Sequence, residues 1–196
     1  MIPIIHRIND PKELKVINPT YGVEIDVRMD NNKLILAHDL NKSFFDFSSF
    51  IDYYNHSLLV VNIKEAGIED IVIKELTKRK ISNFFLLDVE FSYLYRNYES
   101  IGNLLSIRFS KLESIESAKY FSNKVDWLWV DTYEEFPISN DISKVMKNFK
   151  IVLVSPSRWG DSNLLDNYLK LLDAHNLEPY GVMVENGEEN KLLNFN

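Results

Sequence analysis

A strand pattern that carries two acids occupies residues 22–27, which read GVEIDV. Glu24 and Asp26 are two positions apart, and the side chains of a strand alternate with period two, so both carboxylates point to the same side. Two like charges at that separation raise each other's pKa unless a cation lies between them. The stretch therefore predicts part of an enzyme site that is built around a metal ion or a cationic substrate.

Short apolar runs that suit strands recur along the whole chain. They cover residues 3–6, 23–28, 34–37, 58–64, 84–89, 104–109, 127–131, 151–155 and 181–185. Most are continuous stretches of Val, Ile and Leu, a pattern typical of parallel strands that are covered on both faces. The turn-rich tetrapeptide Asp30–Lys33 separates two of these runs and predicts a hairpin.

Amphipathic patterns that suit helices lie between most of these runs. They cover residues 44–54, 68–80, 91–101, 114–123, 140–149 and 162–175, after a short first helix around 10–18. Without the hairpin arm, eight strands alternate with helices, and eight βα units close naturally into a barrel. We therefore expect an α/β fold, a small TIM-type (β/α)8 barrel with a short hairpin after strand 2, as a single domain over residues 1–196.

The composition is that of an ordinary globular protein, with 45% apolar and 26% charged residues. The chain has no cysteine, which excludes disulfides, thiolate zinc sites and cysteine nucleophiles. The net charge of -7 disfavours non-specific binding to nucleic acid or to anionic membranes. No apolar run approaches the ~20 residues of a membrane helix, and residues 1–6 lack the features of a signal peptide. We expect a cytoplasmic protein that binds no nucleic acid and does not insert stably into membranes.

Polar and ionisable side chains stand at the carboxyl ends of the predicted strands, where a barrel of this kind has its active site. They are His6, Arg7, Glu24, Asp26, Arg28, Asn62, Lys64, Asp88, Glu90, Arg108, Ser110, Asp131, Ser155 and Glu185. Buried charges are costly without partners, so a ring of both signs at one rim indicates a polar ligand. Asp131 suits a structural role as well as a catalytic one. His56 and His175, near helix ends, are expected on the surface.

In the first third of the chain, the sequence resembles the glycerophosphodiester phosphodiesterase family, within the wider group of phosphatidylinositol-specific phospholipase C-like barrels. The matching parts are His6-Arg7, Glu24-x-Asp26, His38-Asp39 after the short hairpin, and Asn62-x-Lys64. Their order and spacing both agree with the family, whereas the later part of the chain shares only the strand–helix rhythm. The same region is similar to the spider-venom phospholipase D (sphingomyelinase D) enzymes.

The resemblance implies a divalent metal ion as cofactor. Glu24 and Asp26 would bind Mg²⁺ or Ca²⁺, both of which prefer oxygen ligands. The third ligand of the family is usually an acid, whereas this chain has Asn62. An amide oxygen also coordinates these ions, but its lack of a formal charge should weaken binding, and Asp88 is the candidate to compensate.

The resemblance also implies the catalytic and substrate-binding residues. His6 and His38 would form the general acid–base pair, while Arg7 and Lys64 would hold the phosphate group. Three further rim residues complete the expected site: Arg108 as another ligand of the phosphate, and Asp88 and Asp131 as additional members. The insertion that usually covers the substrate after the His-Asp motif is missing between His38 and Asn62. The expected substrate is therefore a small-molecule phosphodiester or a larger glycan or lipid phosphodiester in an open cleft.

These residues together predict a metal-assisted phosphodiesterase, a phosphoric diester hydrolase acting on a glycerophosphodiester or a related diester. One histidine would remove a proton from the nucleophile, and the other would protonate the leaving alkoxide. The nucleophile is either water or a hydroxyl of the substrate, so hydrolysis and formation of a cyclic phosphate both stay open. The sequence also leaves open which histidine is the acid, the exact substrate and the oligomeric state.

Three alternative functions stay open as well. The first is a lyase of the phospholipase D or sphingomyelinase D type. The second is a catalytically weakened barrel that binds phosphorylated glycans or lipids, with Asn62 as the sign of decay, although the intact His6 and His38 argue against it. The third is a metal-dependent sugar isomerase or aldolase. Those enzymes generally need metal ligands on later strands, and this chain has no histidine between His56 and His175.

Overall fold

Ten strands and eight α-helices follow one another along residues 1–39 and 44–193, the part of the chain that the computed structural model describes. The strands are β1 (Ile2–Ile5), β2 (Gly22–Asp30), β3 (Lys33–Leu36), β4 (Phe45–Asp46), β5 (Leu58–Ile63), β6 (Phe84–Leu87), β7 (Ser106–Phe109), β8 (Trp127–Val130), β9 (Lys150–Val154) and β10 (Gly181–Val184). The helices are α1 (Pro11–Leu14), α2 (Phe47–Ile51), α3 (Glu69–Lys78), α4 (Phe91–Ile101), α5 (Ile115–Phe121), α6 (Asn140–Met146), α7 (Leu165–Ala174) and α8 (Asn190–Leu193).

Eight of the strands are parallel and form a ring. On one side of β1 the order is β2, β5 and β6, and on the other side it is β10, β9, β8 and β7. The seam between β6 and β7 contains an isolated parallel bridge between Leu86 and Leu105, and the Ser106 hydroxyl donates a hydrogen bond to the Leu86 carbonyl at 2.8 Å. A helix follows each of the eight strands along the chain. The predicted TIM-type (β/α)8 barrel is therefore confirmed, while the single-domain organisation over 1–196 stays a prediction.

The predicted hairpin after the second strand of the ring is also confirmed. β3 runs antiparallel to β2, with Asp30 opposite Lys33 and Val27 opposite Leu36. Asn31 and Asn32 have φ angles of 46° and 61°, the left-handed conformation that a two-residue type I′ turn requires at both central positions. The hairpin carries the chain back to the rim, where His38 follows.

Two predictions about the segment after the hairpin were wrong. The helix expected over 44–54 begins only at Phe47, because β4 pairs with β3 and the Asp46 carboxylate caps the helix by accepting from Ser49 N at 2.7 Å. His56 is buried, not on the surface, and its Nε2 lies 3.2 Å from the Ile17 carbonyl. This burial lowers the pKa of His56.

Alternate residues of the ring strands point into the barrel and form its own hydrophobic cluster, separate from a larger one beneath the helices. The inner cluster comprises Ile4, Leu58, Val60, Phe85, Leu87, Trp127, Trp129, Val152, Val154 and Met183. Because strand side chains alternate with period two, the next inward positions toward the carboxyl ends of β1, β5, β8 and β10 are polar. They are His6 after Ile4, Asn62 after Val60, Asp131 after Trp129 and Glu185 after Met183.

The turn after α4 offers a direct test of how tightly the ring is packed. A Cβ atom on Gly102 would lie 1.9 Å from the Lys124 carbonyl oxygen, closer than any real contact. We expect Gly102→Ala to lower the free energy of unfolding by about 1–3 kcal/mol, the usual cost of overpacking. Urea denaturation measures this change. The matched control is Asn103→Ala at the neighbouring exposed position, and equal stability of the two variants would contradict the packing described here.

Candidate active site

The polar end of the barrel encloses a cavity of about 140 Å³ at the carboxyl ends of the ring strands. Most of the residues expected at the rim line it: His6, Arg7, Glu24, Asn62, Lys64, Asp88, Arg108 and Asp131. Asp26 and His38 contact members of this group from beside the cavity. The structure therefore brings together all the residues that the sequence proposed for the site.

The two acids of β2 are the most deeply buried charges of the site, with Glu24 1% and Asp26 0% exposed. Burial and the neighbouring Asp26 raise the pKa of Glu24 to about 7, although the Arg7 backbone N–H, Asn62 and Lys64 each lower it. A buried carboxylate persists only when protein donors replace the water it has lost. The burial of Glu24 and Asp26 therefore depends on the protein donors around them.

Each of the four carboxylate oxygens faces a donor from the protein. The Arg7 backbone N–H donates to Glu24 Oε2 at 2.8 Å, and Asn62 Nδ2 donates to Glu24 Oε1 at 3.1 Å. Asn9 Nδ2 donates to Asp26 Oδ2 at 2.9 Å. Lys64 Nζ lies 3.0 Å from Asp26 Oδ1 and forms an ion pair with it, without the geometry of a hydrogen bond.

Asn9 is a site residue that sequence reasoning missed. Its amide also accepts a hydrogen bond from the Asp26 backbone N–H at 2.8 Å, so the side chain clamps Asp26 from both ends. Asn9 lies in the loop after β1, outside the strand ends from which the candidates were drawn. The only signal that the sequence offers for this role is the position of Asn9 in that loop, three residues after His6.

His6 continues the inward face of β1 and is held by Glu185, which continues that of β10. Its Nδ1 lies 3.1 Å from Glu185 Oε1, and its Nε2 lies 4.0 Å from Glu24 Oε2. Because a carboxylate only accepts, the proton of neutral His6 belongs on Nδ1, which leaves a lone pair on Nε2. Burial lowers the pKa of His6, whereas Glu185 raises it, and the balance is a lowered value.

His38 lies on the chain after the hairpin and meets Arg7 across the rim. Its Nε2 is 2.6 Å from Arg7 Nη2 and its Nδ1 is 2.8 Å from Asp39 Oδ1. A guanidinium only donates, so Nε2 accepts and Nδ1 carries the proton toward Asp39. Arg28 fixes the backbone here by donating to the His38 carbonyl at 2.9 Å.

Arg7 has a backbone conformation that non-glycine residues seldom adopt, with φ 54°. This conformation turns its N–H toward Glu24 while its guanidinium reaches His38. Such strained residues are concentrated at functional sites, where the surrounding contacts hold them in place. Arg7 thus connects the buried acids with the exposed side of the rim.

Arg108 joins Asp88 and Asp131 on the opposite side of the cavity. It donates to both oxygens of Asp88, at 2.7 and 2.8 Å, and to Asp131 Oδ2. Burial raises the pKa of Asp131 to about 6, with Arg108 opposing the shift. The guanidinium is already engaged by two carboxylates, so the expected binding of phosphate by Arg108 stays a prediction.

Aromatic and charged residues of the loops after β8 and β9 complete the rim, and the sequence candidates did not include them. The Tyr133 and Trp159 rings lie 4.5 Å apart, centroid to centroid. Arg158 Nε lies 3.7 Å from Glu185 Oε1, close to His6. These loops carry no regular pattern, so only their position after a ring strand could have indicated them.

The fold and its rim define a TIM-type barrel with a buried charged site at the carboxyl ends of the strands. No helix in the described part of the chain is long and apolar enough to cross a membrane. No protein-family model matches the chain, and neither does any curated protein sequence.

Solved structures of three phosphodiesterases share this fold. A putative glycerophosphoryl diester phosphodiesterase from Agrobacterium tumefaciens str. C58 has a TM-score of 0.70 and 9% identity over 100% of this chain and 98% of its own. A glycerophosphoryl diester phosphodiesterase from Parabacteroides distasonis ATCC 8503 has a TM-score of 0.63 and 11% identity over 94% of this chain and 82% of its own. A glycerophosphodiester phosphodiesterase from Agrobacterium tumefaciens str. C58 has a TM-score of 0.60 and 10% identity over 93% of this chain and 96% of its own. The family suggested by the motifs is thus the family of these neighbours, and the likeness confirms the fold.

The anchoring role of Asn9 predicts a loss of stability. We expect Asn9→Ala to lower the free energy of unfolding by about 1–3 kcal/mol, because Asp26 Oδ2 and the Asp26 N–H both lose buried partners. Urea denaturation measures the change, with Asn163→Ala at an exposed position as the control. A change no larger than that of the control would contradict the anchoring role.

Proposed function

We propose that this chain is a phosphoric diester hydrolase that cleaves a glycerophosphodiester or a related phosphodiester. The observation that carries the proposal is the position of Arg7 between the two histidines. Its backbone N–H holds Glu24, which lies 4.0 Å from His6, and its guanidinium lies 2.6 Å from His38. The three phosphodiesterases with the same fold support this assignment.

Cations of the rim supply the binding site for the phosphate group. Arg7, Lys64 and Arg158 all line the cavity. Hydrogen bonds from charged donors to phosphate oxygens are stronger than neutral ones, and they neutralise charge that builds up in the transition state. A phosphodiester anion placed here has His6, directly after β1, in the lining of the cavity, and His38, which contacts Arg7, beside it.

We assign proton removal to His6 and proton donation to His38. His6 Nε2 takes a proton from the nucleophile while the new O–P bond forms, since Glu185 holds the other nitrogen in its protonated form. A phosphate bound by Arg7 draws the guanidinium away from His38, whose freed Nε2 takes up a proton from solvent and then gives it to the leaving alkoxide as the P–O bond breaks. With water as the nucleophile the product is a phosphomonoester, and with a substrate hydroxyl it is a cyclic phosphate.

The divalent metal ion implied by the resemblance takes no part in these steps, because the carboxylate oxygens that would bind it already face protein donors. The steps also require no membrane insertion. The cytoplasmic location expected from the sequence stays a prediction.

The roles of the two histidines predict different responses to the leaving group. We expect His38→Asn to lower kcat/KM for a glycerophosphodiester by about 10²–10⁴-fold, but far less for bis-p-nitrophenyl phosphate, whose leaving group needs no protonation. His6→Asn should lower kcat/KM strongly for both substrates. Steady-state assays of the two variants measure these ratios.

The control for these assays is His175→Asn, which replaces the histidine that ends α7, outside the rim. It should keep the wild-type kcat/KM for both substrates. Retention of wild-type activity by both rim variants would refute the proposed function, and a reversed leaving-group dependence would exchange the two roles.

The contact between His6 and Glu185 predicts a shift in the pH profile. His6 must be neutral to accept a proton, so kcat/KM should fall on the acidic side with a midpoint below the ordinary 6.5. Because the Glu185 carboxylate raises the pKa of His6, Glu185→Gln should move this acidic limb to still lower pH. Exposed Glu178→Gln serves as the control. An acidic limb that moves to higher pH in Glu185→Gln would be incompatible with His6 as the base.

A further inference from the structure

The oxygens that a divalent cation would need at the end of β2 are engaged by groups of this chain. Glu24 accepts from Arg7 N and Asn62 Nδ2, and Asp26 accepts from Asn9 Nδ2 and faces Lys64 Nζ. A cation bound to both carboxylates would have to displace at least the Lys64 and Asn62 contacts. Within residues 1–39 and 44–193, no three His, Asp or Glu side chains form a group that could hold a metal ion.

Asn62 uses its amide as a donor at this site. A carboxylate can only accept, so the Asn62 nitrogen must face Glu24 Oε1, from which it lies 3.1 Å. Asn62 Oδ1 points elsewhere, is buried and accepts no hydrogen bond from the residues that the structure describes. To act as a metal ligand, the amide would have to turn its oxygen toward Glu24 and lose this hydrogen bond.

Lys64 supplies the positive charge that a metal ion would otherwise bring. Its Nζ lies 3.0 Å from the fully buried Asp26 Oδ1, and its side chain is itself largely buried. The two acids and Lys64 leave one formal negative charge, whereas an acid at position 62 would leave two. A divalent cation would be attracted less strongly and would lie close to an ammonium group of the same sign.

We propose that the residues present do not fit a divalent metal ion, and that Asn62 and Lys64 together take its place. Asn62 holds Glu24 through its amide, and Lys64 neutralises Asp26 and faces the phosphate cavity. The side chains of the site thus supply the hydrogen-bond donor for Glu24 and the positive charge beside Asp26. This statement concerns binding, and it holds or fails independently of the proposed phosphodiesterase activity.

Calorimetric titration of the purified chain with MgCl₂ and with CaCl₂ tests the inference. We expect no saturable binding up to about 10 mM, beyond the range of weak protein calcium sites. The double variant Asn62→Asp with Lys64→Met adds a third carboxylate and removes the ammonium. It should therefore gain saturable binding with a Kd of about 1 mM or lower, at least about tenfold tighter than that limit. Circular dichroism confirms that the variant is folded.

A second measurement avoids the variant altogether. The unfolding temperature of the wild-type chain should be the same in 10 mM MgCl₂, in 10 mM CaCl₂ and in EDTA, because a ligand that binds only the folded state would raise it. Saturable binding of either ion to wild type, with its loss in Glu24→Gln, would overturn the inference. A folded double variant that gains no binding would overturn the role given to Asn62 and Lys64. Failure of the chain to cleave any phosphodiester would refute the proposed function, but it would not change the conclusion drawn from the metal-binding measurements.

Discussion

The burial of Glu24 and Asp26 at the end of one strand is the constraint on which the rest of the site depends. Two adjacent carboxylates without water are strongly unfavourable unless donors surround them. The chain meets this requirement with four groups from two segments: the Arg7 backbone and Asn9 after β1, and Asn62 and Lys64 at the end of β5. Those same contacts tie the loop after β1 and the end of β5 to β2, so the cost of burying the acids determines the geometry of the rim.

The catalytic arrangement follows from that anchoring. Because Arg7 N must reach Glu24, the Arg7 backbone adopts φ 54°, and its guanidinium then extends to His38 on the far side of the rim. His6, one residue earlier, is placed inward by the alternation of β1 and held by Glu185. Two histidines that are remote in sequence are thereby positioned around one arginine, which suits the cleavage of a bound phosphodiester.

The alternation of strands explains why much of this could be predicted from the sequence. Ring strands, the hairpin at Asn31 and Asn32, and the inward positions of His6 and Asn62 all follow from local periodicity and turn chemistry. Asn9 and Trp159 could not be predicted, since loop positions depend on contacts between distant segments. His56 was misplaced because its burial comes from the Ile17 turn, which no local pattern of residues 44–56 reveals.

The central claim is that this rim cleaves a phosphodiester with its two histidines. The most direct measurement is ³¹P NMR spectroscopy of a glycerophosphodiester incubated with the purified chain. The account predicts that the diester resonance is replaced by that of a phosphomonoester or a cyclic phosphate, and that a variant with both His6→Asn and His38→Asn leaves the diester intact. An unchanged diester with the wild-type chain, or conversion at the same rate by the double variant, would contradict it.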